Sequence, residues 1–165
     1  MFTRALSSLH PTRTLLLGAA VVALTAMPAA AQKATQAKKS EKLAWAKAPP
    51  FLPAGAMMAV VSGDPTKSGP FVVELSMPSG YKIPPHSHPT AEKITVKSGQ
   101  FLYGMGDEMK ASEMKTMKPG NSGEIPANMH HYAKARGKTR IELSSTGPFV
   151  INYVHAKDDP RTRAN

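Results

Sequence analysis

From Met57 onward the sequence is broken at short intervals by turn residues, and this constrains the fold more than any other feature. The runs "MMAVVS", "PFVVELSM", "EKITVKS", "GQFLYGMG", "MHHYAKA", "TRIELSS" and "FVINYVH" are separated by "GDPTKSG", "PSG", "GEIPA", "RGK" and "TGP". Short apolar or alternating runs between Gly, Pro, Asp and Ser clusters are strands, and many of them in succession define an all-β sandwich or barrel. Only "DEMKASEMKTM" (Asp107 to Met117) has helical spacing, with Met109, Glu113 and Met117 four apart, which predicts about two turns of helix. There is no internal repeat. The 165 residues suffice for one core, and 41% hydrophobic with 19% charged residues is the balance of a soluble globular protein.

The two runs around Gly99 read more finely. A two-residue hairpin turn at Ser98-Gly99 sets Val96 opposite Phe101, Ile94 opposite Tyr103 and Glu92 opposite Met105. Lys93, Thr95, Lys97 and Gln100 then face water, and Glu92, Ile94, Val96, Phe101, Tyr103 and Met105 form an apolar inner face with one carboxylate at its end. An isolated charge there costs several kcal/mol unless it is paired. That face carries no Lys or Arg, so a cation is wanted.

The ends of the chain read differently. Arg4 and Arg13 precede the apolar run Leu15 to Ala26, which leads into "MPAAAQ" with Ala29 and Ala31 in a small-x-small pattern. This predicts a signal peptide over residues 1–31, cleaved after Ala31, and a periplasmic or secreted protein. The apolar run is shorter than the roughly 20 residues that span a bilayer, so no stable membrane anchor is expected. Residues 32–50 read as an extended arm or tether with Trp45 as packing anchor, and 157–165 as a loose polar tail. The chain has no cysteine, which fits export and excludes thiolate metal sites, a Cys nucleophile and iron-sulfur chemistry. The formal net charge is +10, but the basic cluster Lys33 to Lys42 lacks aromatic interleaving and reads as a solvated tether, so no nucleic-acid partner is expected.

The stretch "GYKIPPHSHPTAEKITVKSG" carries the chemistry. In an extended segment His86 and His88 point to one side, roughly 7 Å apart at Cβ, and two imidazoles can converge on one ion from there. Pro84 and Pro85 restrict the approach, and Pro89 ends the strand so that Glu92 can return to the same side. A third nitrogen ligand can come from "EIPANMHHYA", where His130 and His131 face opposite ways and only one enters the interior. Met105 and Met129 are candidates for the cavity lining.

Gly80, His86, His88, Glu92 and Gly99 match G-x5-H-x-H-x3-E-x6-G, the first cupin motif, at every spacing. Gly120, Pro126 and His131 match the second, G-x5-P-x-G-x2-H-x3-N, with Asn128 in place of its second Gly and Ala135 in place of its Asn. Asn is the non-glycine residue that best tolerates positive φ. The chain therefore resembles a small single-domain cupin. The resemblance implies a jelly-roll β-barrel over residues 51–156 with one short helix between the motifs. It also implies one divalent transition metal ion (Fe, Mn, Zn, Ni or Cu) held by His86, His88, Glu92 and His131, and a homodimer. The activity implied is that of a metal-dependent dioxygenase or isomerase on a small molecule, with Glu92 shifting between ligand and base and Tyr103 donating a hydrogen bond. The alternative is a non-catalytic module that binds or senses a small molecule or a metal.

Overall fold

The computed structural model describes residues 43–163; the expected signal peptide, its cleavage point and the Lys33 to Lys42 cluster lie outside them. Nine strands follow in chain order: β1 (Ala46–Lys47), β2 (Met57–Ser62), β3 (Gly69–Met77), β4 (Lys82–Ser87), β5 (Glu92–Met105), β6 (Lys115–Met117), β7 (Ser122–Ile125), β8 (His131–Gly147) and β9 (Asn152–Tyr153). All pairings are antiparallel. No helix among the described residues is long and apolar enough to cross a membrane.

The long strands β5 and β8 pair with each other along their length and bend together, so each contributes to two sheets. One sheet runs β1-β2-β3, then the C-terminal half of β8, the N-terminal half of β5, and β7. The other runs β9-β4, then the N-terminal half of β8, the C-terminal half of β5, and β6. Their inner faces meet in one core, with Leu75, Ile94 and Ile141 from the first sheet against Ile83, Phe101 and Ala133 from the second. The alternation that places these residues inside is the two-residue period of the strands: Phe71, Val73, Leu75 and Met77 are buried along β3, and Glu92, Ile94 and Val96 along β5. Each fully buried large aliphatic side chain contributes about 1.5–3 kcal/mol. The chain is thus all-β with a jelly-roll fold, although the hydrogen-bonded network does not close on itself.

The hairpin expected at Ser98-Gly99 is absent. Gly99 (φ 75) turns β5 through a corner without reversing it, and Gly137 (φ 72), in the "RGK" that reads as a turn, makes the matching corner inside β8. A Cβ on Gly99 would stand 2.4 Å from the Lys138 carbonyl oxygen and 2.7 Å from Thr139 Cα. Thr139, fully buried at the crossing, accepts the Gln100 N–H at 3.2 Å and lies 3.1 Å from the Gln100 and Gly137 carbonyls. The bend changes the second half of the expected inner face. Phe101 is buried, but Tyr103 is only half-buried and Met105 is 41% exposed.

The segment expected to be helical holds one 3-10 turn, Ala111–Glu113, and its end is strand β6 against Phe101–Tyr103. Helical spacing gave it no apolar stripe to bury: Glu113 is exposed, and Met117 reaches the core from a strand. Trp45 stands outside the core; the described part of the arm is held by β1 pairing with β2 and by Ala48 against the core. The segment after it is held by Leu52 and Ala56 and by the hydroxyls of Tyr81 and Tyr153, which donate to the Pro53 and Phe51 carbonyls. The tail is not loose up to residue 163, because Arg161 grips the Asp159 carboxylate and donates to the Ile151 carbonyl at 3.0 Å.

Candidate metal centre

His86 and His131 are direct cross-strand partners, Glu92 opens β5 opposite Ile125, and His88 follows the end of β4. Pro84 and Pro85 lie where the β4–β8 register shifts between Ile83 and His86. Neither proline can donate to the ladder, so the strand bulges there, and the bulge aims His86 inward beside His131. Asn128 has φ 61, as its place in the second motif requires, and its N–H donates to the His88 carbonyl at 2.7 Å. That turn starts β8 so that His131 points into the interior and His130 points out.

The four side chains are buried, and one ligand atom from each lies within 4.8 Å of all the others. His131 Nε2 is 2.8 Å from Glu92 Oε1, and His88 Nε2 is 3.6 Å from Glu92 Oε2. Every imidazole has its other nitrogen on a backbone carbonyl: His86 Nδ1 on Pro84 at 2.7 Å, His88 Nδ1 on Val150 at 2.8 Å, and His131 Nδ1 on Met129 at 2.9 Å. A carbonyl only accepts, so each Nδ1 is the N–H, and in the neutral ring each Nε2 presents a lone pair to the centre. Burial pushes the His86 imidazole well below its ordinary pKa, helped by His131 and His88. His88 is also lowered by burial, against the opposing pull of Glu92. Neutral nitrogens and a carboxylate turned toward one point repel unless a cation lies between them. Donor atoms about 2.1 Å from one ion stand about 3 Å apart when adjacent, close to the spacings found, so the residues fit a divalent metal.

The centre sits in the wall of a 280 Å3 cavity between the sheets. Apart from these four residues and Thr66, its lining side chains are apolar, from Phe71 and Val73 on β3 to Leu143 on β8. Phe149 stacks on His88 with ring centroids 4.4 Å apart and planes at 20°. The sequence does not reveal this contact or the Val150 carbonyl, since Val150 lies 62 residues from His88 and only the fold joins them.

Tyr103 is not brought to the centre. It lines a separate hollow with Met117 and Glu124, because the missing hairpin leaves it on the far side of the corner. Met105 and Met129 do not line the cavity either, and Met129 is 46% exposed at the turn before β8. His130 faces outward and bonds Asp107 Oδ1 at 2.6 Å. His155 donates to the Asp107 carbonyl at 3.0 Å.

A two-sheet jelly roll with three histidines and a glutamate converging inside it defines a class of β-sandwich built around a candidate metal centre. Residues 73–147 match the family model "Cupin domain", and the chain belongs to the cupin superfamily. Among solved structures, it is similar to a candidate acetylacetone dioxygenase from Methylibium petroleiphilum, at 19% identity and TM-score 0.55, over 72% of this chain and 79% of that one. It is also similar to the polyketide cyclase RemF from Streptomyces resistomycificus, at 18% identity and TM-score 0.53, over 64% and 75% of the two chains. An RmlC-like cupin from Shewanella frigidimarina aligns at 14% identity and TM-score 0.51, over 65% and 86%. At these identities the likeness shows the fold. A search of curated proteins finds no match.

Proposed function

We propose that the protein is an exported, metal-dependent cupin enzyme that acts on a small organic molecule, as an oxygenase or an isomerase. One observation carries the reading: a complete set of three imidazoles and a carboxylate is buried at the polar end of an otherwise apolar cavity. A divalent ion held there supplies Lewis acidity to an oxygen of the bound molecule. The chain's own residues do the rest. The carbonyls of Pro84, Val150 and Met129 fix the three rings, the wall excludes water, and Glu92 can take a proton on whichever oxygen is not engaged by the ion. The candidate dioxygenase and the cyclase with similar folds support an enzyme but do not specify its reaction. Export through a leader ending at Ala31 and pairing as a homodimer belong to the same reading and rest on the sequence and the family resemblance. N-terminal sequencing and the mass of the native protein test them, and an intact leader or a monomer at working concentration would remove them.

The test of activity is turnover, including oxygen uptake, by the metal-loaded protein across a broad panel of small molecules. Turnover lost in His88→Ala supports the enzyme, and its absence with every metal and compound contradicts it. A non-catalytic binding module is the second reading. The cavity lining favours it in one respect, since among the described residues it offers no acid or base beyond the four centre residues. Tight ligand binding that survives His88→Ala would select it.

A further inference from the structure

The cavity's charge and shape identify the kind of molecule it takes. With a divalent ion, three neutral imidazoles and the Glu92 carboxylate, the loaded centre carries one net positive charge. Among the described residues no Lys, Arg, Asp or other Glu lines the cavity to balance or extend it. Lys67 follows the lining residue Thr66, but its ammonium is paired with Asp64 at 3.2 Å. The Thr66 hydroxyl is itself bonded to Asp64 Oδ1 at 2.6 Å, so among the described residues neither Lys67 nor Thr66 is left open to meet a second anionic group. A buried net charge in apolar surroundings is unfavourable, and a single anionic oxygen donor would neutralise it, whereas a second anion would be left unpaired.

The remaining wall offers almost nothing to a hydroxyl-rich molecule. Hydroxyls drawn from water against Phe71, Val73, Ile94 and Leu143 would lose their hydrogen bonds without replacement. A cavity of about 150 Å3 with an aliphatic and aromatic lining accepts benzene, so 280 Å3 has room for about a dozen heavy atoms.

We infer that the ligand is a compact molecule with one anionic oxygen head, such as an enolate, phenolate or carboxylate, and an apolar body of aromatic or branched hydrocarbon. Sugar acids and dianions are excluded. The inference rests on the metal reading above and specifies what the loaded site selects.

The test is equilibrium binding to the zinc-loaded protein of four probes of similar size, with zinc content measured on the same samples. They are para-tert-butylbenzoate, its neutral amide para-tert-butylbenzamide, the polyhydroxylated anion gluconate, and the dianion phthalate. The benzoate should bind at least about tenfold more tightly than each of the other three. Val73→Thr, which keeps the shape of the wall and adds a hydroxyl, should weaken benzoate binding about fivefold with full zinc content. Leu143→Ser should act in the same direction and serves as the second variant. The amide, gluconate or phthalate binding as tightly as the benzoate to fully loaded protein would overturn the ligand class and leave the metal reading standing. Protein that takes up no zinc would overturn both.

Discussion

At the ligand end of the cavity four polar side chains are buried, the three imidazoles held from behind by backbone carbonyls, whereas the wall from Phe71 to Leu143 is made of apolar groups that need no partner. The first arrangement turns lone pairs toward one another and is stabilised by a cation among them; the second is stable by exclusion from water. The two ends therefore answer to different perturbations. Substitutions in the wall should lower stability with or without metal and spare metal content, and substitutions of the centre residues should remove the metal and with it the metal-dependent part of the stability.

The largest expected effect is on the wall. Ile141→Ala, at a fully buried position facing the cavity, should lower unfolding stability by about 2–5 kcal/mol in denaturant titrations and keep its metal. Lost metal with unchanged stability would break the distinction. At the other end, a metal supplied at about a thousand times its dissociation constant should stabilise the protein by about 4 kcal/mol, seen as a rise in melting temperature that Glu92→Ala abolishes. Gly99→Ala acts on the corner that joins the two ends. A side chain there meets the Lys138 carbonyl and must adopt φ 75, so a loss of about 1–3 kcal/mol is expected in the same titration.

The pH dependence separates the two ends again. His86 and His88 have pKa values lowered by folding, so the unfolded chain binds protons that the folded chain refuses. Their contribution is complete above the unfolded value of 6.5 and is lost as pH falls below it toward the folded values. Metal-free protein should lose up to about 1.4 kcal/mol per pH unit for each such proton, and His86→Gln should flatten the slope. An equally steep slope in His86→Gln would assign it elsewhere. The smallest effect belongs to Phe149→Ala, which removes the ring stacked on His88 and should lower stability by about 1 kcal/mol, with weaker metal binding in a competition titration.

Much of this was legible in the sequence. The alternation of Glu92, Ile94 and Val96 alone puts the carboxylate inside, and the spacings from Gly80 to Gly99 and from Gly120 to His131 bring four ligands to one place. The course of the chain after Gly99 was not legible. A glycine at positive φ between two apolar runs suits a reversal or a corner equally, and the choice was made by Thr139 and the long pairing with β8. Glu92 kept its place because its half of the strand precedes the corner, and Tyr103 lost its place because it follows. The carbonyls that fix the imidazoles carry no side-chain signature at all.

The most direct measurement of the central claim is the metal content of the purified protein after loading and dialysis, beside His86→Ala and Glu92→Ala of confirmed fold. One tightly held divalent ion per chain, lost in both variants, is the predicted result. Less than one ion under every loading condition, or an ion that both variants retain, would contradict it.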